Sequence, residues 1–170
     1  MRQTTRRLAY KKSHAGRAVL HSTRTPLRMK PGLRRGAEAT VRVVVTPDML
    51  ATFEELGPVH PLYATWSMIR HMELACRKII LPYLQPDEDA VGYSVNVTHL
   101  APTTVGDQVT ARARLVKVSG RKIICAVDAV NSKEKIGEGT QVQVLVRKDQ
   151  LERFSNPQRA DASLHVRGKS

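Results

Sequence analysis

One segment constrains this chain more than any other: between Tyr63 and Leu84 the apolar residues repeat with helical spacing. At about 100° per residue, Met68, Ile69, Met72, Ala75, Cys76, Ile79, Ile80 and Tyr83 fall in one wide stripe. Ser67, Arg70, His71, Arg77 and Lys78 fall opposite, and Gln85-Pro86-Asp87 ends the run. A stripe this wide needs a broad apolar surface to cover it, and the rest of the chain reads as the strands of that surface. Ala39, Val41, Val43 and Val45 alternate with Thr40, Arg42 and Val44 before Thr46-Pro47. Val91 to Leu100, Gln108 to Val118, Lys122 to Val130 and Gly139 to Arg147 also alternate, with turns at Pro102 to Gly106, Ser119-Gly120 and Asn131 to Lys135. Residues 49–62 contain prolines and read as a loop, or a brief helix around Met49 to Leu56. The four late strands predict an antiparallel meander. The class expected is α+β: a curved antiparallel sheet wrapped around one long helix.

The net charge of +13 suggests nucleic acid until it is divided along the chain. Residues 1–36 hold eleven Lys/Arg and no acid, whereas residues 37–154 hold fourteen of each sign and residues 155–170 add +2. A nucleic-acid-binding fold carries its basic face in the folded part, so this distribution argues against one. The expected organisation is a basic, disordered leader over 1–36, one domain over 37–154 and a flexible tail over 155–170. The leader's composition is that of a transit peptide in a eukaryote, or of an extension ahead of a start at Met29 in a bacterium. The compartment expected is accordingly the cytoplasm, or the mitochondrial matrix if eukaryotic. Two cysteines, Cys76 and Cys125, suit a reducing compartment, and no Cys/His spacing is that of a zinc site. No apolar run approaches the roughly 20 residues of a membrane span, so none is predicted.

Three polar residues fall where apolar ones are expected. Glu73 lies about 80° from Thr65 on the helical wheel, at the edge of the stripe, where desolvation favours a general base or nucleophile. Arg77 follows at i+4 in the favourable order, and spacing alone favours a plain ion pair between the two. His99 shares a strand face with Val91, Tyr93, Val95 and Val97, a face expected to look at the helix. A histidine there is more often a satisfied core residue than a catalyst. Thr65 opens the helix, where its default role is to cap free N–H groups; the same hydroxyl and N–H groups could hold a thioester oxyanion.

The residues Ala64-Thr65, Met68, Met72-Glu73, Ala75-Cys76, Pro82-Tyr83-Leu84, Val97-Thr98-His99, Ala101-Pro102-Thr103, Gly120-Arg121 and Ile136-Gly137-Glu138-Gly139-Thr140 resemble the fluoroacetyl-CoA thioesterase family of the hotdog-fold superfamily. Thr65, Glu73 and His99 keep the order and separations of that family's Thr/Glu/His set. The resemblance implies a long helix wrapped by a five-stranded sheet, two such subunits paired as a homodimer or in a higher oligomer, and an active site at their interface. It makes Glu73 the nucleophile or general base, His99 the residue that positions or activates water, and Thr65 the residue that orients Glu73 and stabilises the oxyanion. It implies no metal and no cofactor beyond the coenzyme A of an acyl-CoA substrate. Gly92 matches a glycine of the acyl pocket, where a missing side chain leaves room; otherwise it marks a strand bend.

The chain departs from that pattern at the pocket. Val59-His60-Pro61-Leu62-Tyr63 lacks the first of two lid aromatics, leaving Tyr63, and Trp66-Ser67 replaces glycine and an aromatic residue at the mouth. Gln141 and Gln143 stand where the family enzyme has histidine and arginine, and neither supplies a fixed positive charge. These changes argue against fluoroacetyl as the acyl group and for another short or unusual one, with Tyr63, Trp66 and Gly92 as substrate-binding residues. Two alternatives remain open: an acyl-CoA-binding module whose basic leader contacts nucleic acid or a ribosomal partner, and an acyl-CoA hydratase on the same fold.

Overall fold

The computed structural model describes residues 27–155. Strand β1 (Glu38–Val44) leads through a 3-10 turn at Pro47–Met49 into β2 (Leu50–Phe53) and β3 (Gly57–Tyr63). Helix α1 (Thr65–Ile80) follows, then β4 (Glu88–His99), β5 (Gln108–Ser119), β6 (Lys122–Val130), β7 (Lys135–Arg147) and a short α2 (Lys148–Ser155). The five long strands form one antiparallel sheet in the order β1-β5-β6-β7-β4, and α1 packs on one face of it. This is the expected α+β architecture of a sheet around one long helix. No helix among the described residues is long and apolar enough to cross a membrane.

Helix α1 stops where the sequence removes a donor. Pro82 has no N–H to continue the ladder, and the chain tightens into a 3-10 turn over Leu81–Tyr83. Met68, Met72, Ala75, Cys76, Ile79 and Ile80 are buried against the sheet. The floor beneath them is built from small residues, among them Ala90, Ala111, Ala113 and Ala129, which let the two methionines fill the space. The buried stripe is rotated from the one expected: Ser67 and His71 are buried, while Ile69 is only partly so. Both polar residues have partners on that flank, Ser67 donating to the Met49 carbonyl at 3.0 Å and His71 bonding the Tyr63 hydroxyl at 2.6 Å. A buried polar group so partnered escapes most of the desolvation penalty.

Three further expectations change. Residues 49–62 are neither loop nor helix but the hairpin β2–β3, paired apart from the main sheet and bulged at Ala51. The four late strands are not a simple meander, because β4 pairs with β7 and not with β5. Crossing three strand spacings takes about 14 Å, which the chain between His99 and Gln108 spans easily, so a short connection does not fix which strands are neighbours. Thr103 anchors that crossing, buried, with its carbonyl accepting from the Tyr63 N–H at 2.8 Å.

Finally, β4 carries a bulge at Tyr93, where the register against β7 slips between Gly92 and Ser94. Alternation therefore reverses: Val91 and Tyr93 leave the face expected of them. Read across to buried Gln143 and Gln141, the helix-facing residues of β4 are Gly92, Val95, Val97 and His99.

Residues 27–36 belong with this domain physically. Leu27, Met29 and Leu33 pack on the core, and the Gly36 N–H donates to the Leu115 carbonyl at 2.8 Å. Residues 1–26 and 156–170 lie outside the described residues, and with them most of the basic leader and of the tail.

Candidate active site

Thr65 and His99 meet at one end of the sheet. Thr65 is the first residue of α1 and His99 the last of β4, and Thr65 Oγ1 lies 3.0 Å from His99 Nδ1. The N-cap position is Ala64, which has no side-chain oxygen to offer, and the Thr65 hydroxyl meets the imidazole instead of capping; with Nδ1–H donating to Oγ1 the hydroxyl proton stays free. Nor does it orient Glu73 within the chain, as the resemblance implies, since Glu73 lies two turns, about 12 Å, further along the helix. His99 Nε2 is buried and has no partner among the described residues. Burial pushes the His99 imidazole below its usual pKa, with nearby His60 adding to the effect and the Ala101 backbone opposing it. The ring is held neutral at pH 7, with one nitrogen engaged and the other available to hold or pass a proton.

Tyr63 packs beside this imidazole. Its ring stands edge-on to His99, with centroids 6.5 Å apart at 81°, while its hydroxyl is taken up by His71. Burial raises the Tyr63 pKa and, with a smaller effect from Arg70, lowers that of His71, so both stay neutral. Tyr63 thus touches the site through its ring and not its hydroxyl. His71 gave no sequence signal, because the wheel sets it on the polar side of α1.

A cavity of about 360 Å³ opens beside the Thr65–His99 pair. Phe53, His60, Leu62, Tyr63, Trp66 and Leu100 line it, so three of these six come from the β2–β3 hairpin before Tyr63. The sequence missed this wall. Its one usable cue was Gly57, which takes φ +68 to close the hairpin, and Pro58 and Pro61 argued against a strand. Trp66 lies at the rim, partly exposed.

Glu73 faces the other half of β4. Arg77, the partner that spacing favours for it, instead binds Asp89 at 2.9 Å and the Ala90 carbonyl at the start of β4. The strand offers Arg77 a carboxylate and a carbonyl together, which satisfies the guanidinium fork better than a single i,i+4 carboxylate. Glu73 makes no hydrogen bond or ion pair among the described residues. Its Oε1 lies 2.8 Å from the point where a Cβ on Gly92 would stand, so the absent side chain leaves the space the carboxylate occupies.

Beside Gly92 the sheet floor is polar. Gln143 pairs with Gly92 and Gln141 with Val95, and the two are 1% and 2% exposed. Gln141 Oε1 and both polar atoms of Gln143 have no partner among the described residues. Each such orphan costs on the order of 1–3 kcal/mol, a penalty that a bound polar ligand or water removes.

No group of three or more His, Cys, Asp or Glu among the described residues is placed to hold a metal. The described residues offer a neutral imidazole with its hydroxyl, a carboxylate without a partner among them and a helix start without a side-chain cap, groups that can serve water attack on an activated carbonyl.

Comparison with known proteins places the chain in a family. A fluoroacetyl-CoA thioesterase of Streptantibioticus cattleyicolor is 36% identical over 134 residues, covering 75% of this chain and 93% of that one. A thioesterase superfamily member from Thermus thermophilus superposes with a TM-score of 0.73 at 41% identity, covering 79% and 98% of the two chains. A solved fluoroacetyl-CoA thioesterase gives 0.70 at 30% identity, covering 75% and 98%. Residues 45–149 match the family described as fluoroacetyl-CoA-specific thioesterase, and the chain belongs to that family.

Proposed function

We propose that the protein is a homodimeric acyl-CoA thioester hydrolase whose active site is shared between two copies. The observation that supports this is the division of the working residues along β4. Thr65 and His99 sit at its C-terminal end, whereas Gly92, against which Glu73 lies, is seven residues back along the strand, roughly 20 Å, and Glu73 is about 12 Å from Thr65 along α1. The same strand is the edge of the sheet, its residues 92–96 are exposed, and Tyr93 and Val95 are 60% and 45% exposed. A long apolar edge with unpaired backbone groups invites an identical strand. Antiparallel pairing about a two-fold axis near Val95 and Asn96 sets His99 of one copy beside Gly92, and hence Glu73, of the other.

In the assembled site Glu73 takes a proton from water while the water oxygen attacks the thioester carbonyl, or its carboxylate attacks directly and water resolves the acyl-enzyme. The Thr65 hydroxyl and the N–H groups at the start of α1 stabilise the carbonyl oxygen as it becomes an oxyanion. His99 holds the water and passes the proton, its neutral state favoured by burial. Collapse breaks the C–S bond, and the proton taken from water passes through His99 to the departing sulfur, releasing coenzyme A as the thiol.

Thiol release from a panel of short acyl-CoAs by the full chain tests this reading. Turnover that is lost in Glu73→Gln and in His99→Ala is the expected result. Tight binding of acyl-CoA without turnover, or robust hydration of crotonyl-CoA, would contradict it.

A further inference from the structure

The two glutamines on the sheet floor are left with three unpartnered polar atoms among the described residues. Gln141 and Gln143 lie on the face of β7 that looks toward α1, between Cys125 and Ile123 of β6 on one side and Val95 and Gly92 of β4 on the other. They are 2% and 1% exposed, yet three of their four polar atoms are without partners among the described residues. Glu73 Oε1 lies against Gly92, the residue paired with Gln143. Gln143 is therefore one strand spacing, about 5 Å, from the residue against which the Glu73 carboxylate lies.

We infer that Gln141 and Gln143 bind a neutral hydroxyl on the acyl group, so that the preferred substrate is a short hydroxyacyl-CoA. This rests on the thioesterase reading above and adds the acyl class to it. The chemistry follows from the inventory of free atoms. Two carbonyl oxygens and one N–H₂ group are unsatisfied, and a hydroxyl has one proton to give and lone pairs to receive. Its O–H donates to a glutamine oxygen, and its oxygen accepts from Gln143 Nε2. A plain alkyl group leaves all three atoms unpaired. An acyl chain ending in a carboxylate meets two carbonyl oxygens and the Glu73 carboxylate, and Arg77, one turn on from Glu73, is turned away to Asp89. Sites built to bond a substrate hydroxyl reject the analogue that lacks it, because their own polar groups are then buried unpaired.

The test compares matched acyl-CoAs on the full-length protein. Hydroxyacetyl-CoA and propionyl-CoA differ by a hydroxyl in place of a methyl of similar size, and 3-hydroxypropionyl-CoA and butyryl-CoA form a second pair. The wild-type protein is expected to favour the hydroxylated member of at least one pair by about tenfold or more in kcat/KM, with malonyl-CoA a poor substrate. Gln143→Leu, and separately Gln141→Leu, should bring that ratio to within about threefold while turnover of the alkyl member persists. The wild-type ratio needs no variant, so a misfolded protein leaves the inference testable; Gln143→Met is a second shape-conserving replacement. A ratio near one in the wild type, or malonyl-CoA as the best substrate, overturns the inference while the thioesterase reading stands. So does a Gln143→Leu protein that loses melting temperature and keeps the wild-type ratio, the mark of a purely structural amide. Absence of turnover across the whole panel overturns both.

Discussion

Arg77 reaches past Glu73, its neighbour one turn back on α1, and closes on Asp89 at 2.9 Å. That choice ties the end of the helix to the first residues of β4 and leaves the Glu73 carboxylate unpaired beside Gly92. Replacing Asp89 with Asn weakens the anchor and leaves Arg77 free to turn to Glu73. Turnover should fall by about tenfold or less, with a melting-temperature loss corresponding to about 1 kcal/mol, since both side chains are part-exposed. Steady-state kinetics and thermal denaturation of Asp89→Asn check both.

Gly92→Ala separates function from stability. The added methyl group meets the end of a flexible side chain, Glu73 Oε1 at 2.8 Å, and not backbone. The carboxylate moves aside at little energetic cost, so the melting temperature should change by no more than a degree or two while kcat falls by at least about tenfold. A protein that keeps wild-type kcat would show that the position of the carboxylate is not critical.

The pH dependence has a definite sign. Burial lowers the pKa of His99, and of His71, in the folded state relative to the unfolded value near 6.5. Between the two values the unfolded chain binds more protons, so stability is full above about pH 6.5 and declines as pH falls through the folded pKa values. Activity follows the same group, and the acid limb of kcat should lie below pH 6.5. Asp89 adds a second loss at lower pH: burial opposes its ionisation, but Arg77 and the Ala90 N–H outweigh that and hold its pKa below normal. Its contribution is present above about pH 4 and is lost as pH falls further. Denaturant midpoints and kcat measured from pH 4 to 8 give both profiles.

Tyr63→Phe keeps the ring against His99 and removes the hydroxyl that meets His71 at 2.6 Å. It leaves His71 buried without that bond, so it should destabilise the protein by about 1–3 kcal/mol. The acid limb of kcat should stay in place, because the ring that faces His99 is unchanged. A shifted limb would mean that the hydroxyl, and not the ring, controls the imidazole.

Much of this fold is legible in the sequence because one strong period dominates it. Met68, Met72, Cys76 and Ile79 can be buried together only on a helix, and the alternation from Gln108 to Arg147 can be satisfied only by a sheet. The unread parts are those decided by tertiary partners. His71 and Ser67 are buried because Tyr63 and the Met49 carbonyl receive them, and no periodicity encodes that. The bulge at Tyr93 reverses the face of half a strand without altering its composition, which is why Val91 and Tyr93 read as neighbours of His99. Arg77 has two acceptors at the start of β4 that lie far from it on any wheel. Spacing alone favours an ion pair for Glu73 and a core role for His99; only the resemblance to the family's Thr/Glu/His set singles out Thr65, Glu73 and His99 together, and their division along β4 needs the strand order and its free edge.

That division is the centre of the account, and complementation tests it directly. Glu73→Gln and His99→Ala proteins, each inactive alone, are co-expressed with different tags, and the mixed dimer is purified and assayed. If each site takes His99 from one copy and Glu73 from the other, every mixed dimer holds one intact site and recovers about half of wild-type turnover. If each copy carries its own complete site, both sites of the mixed dimer are broken and it stays as inactive as its parents, which would contradict the shared site.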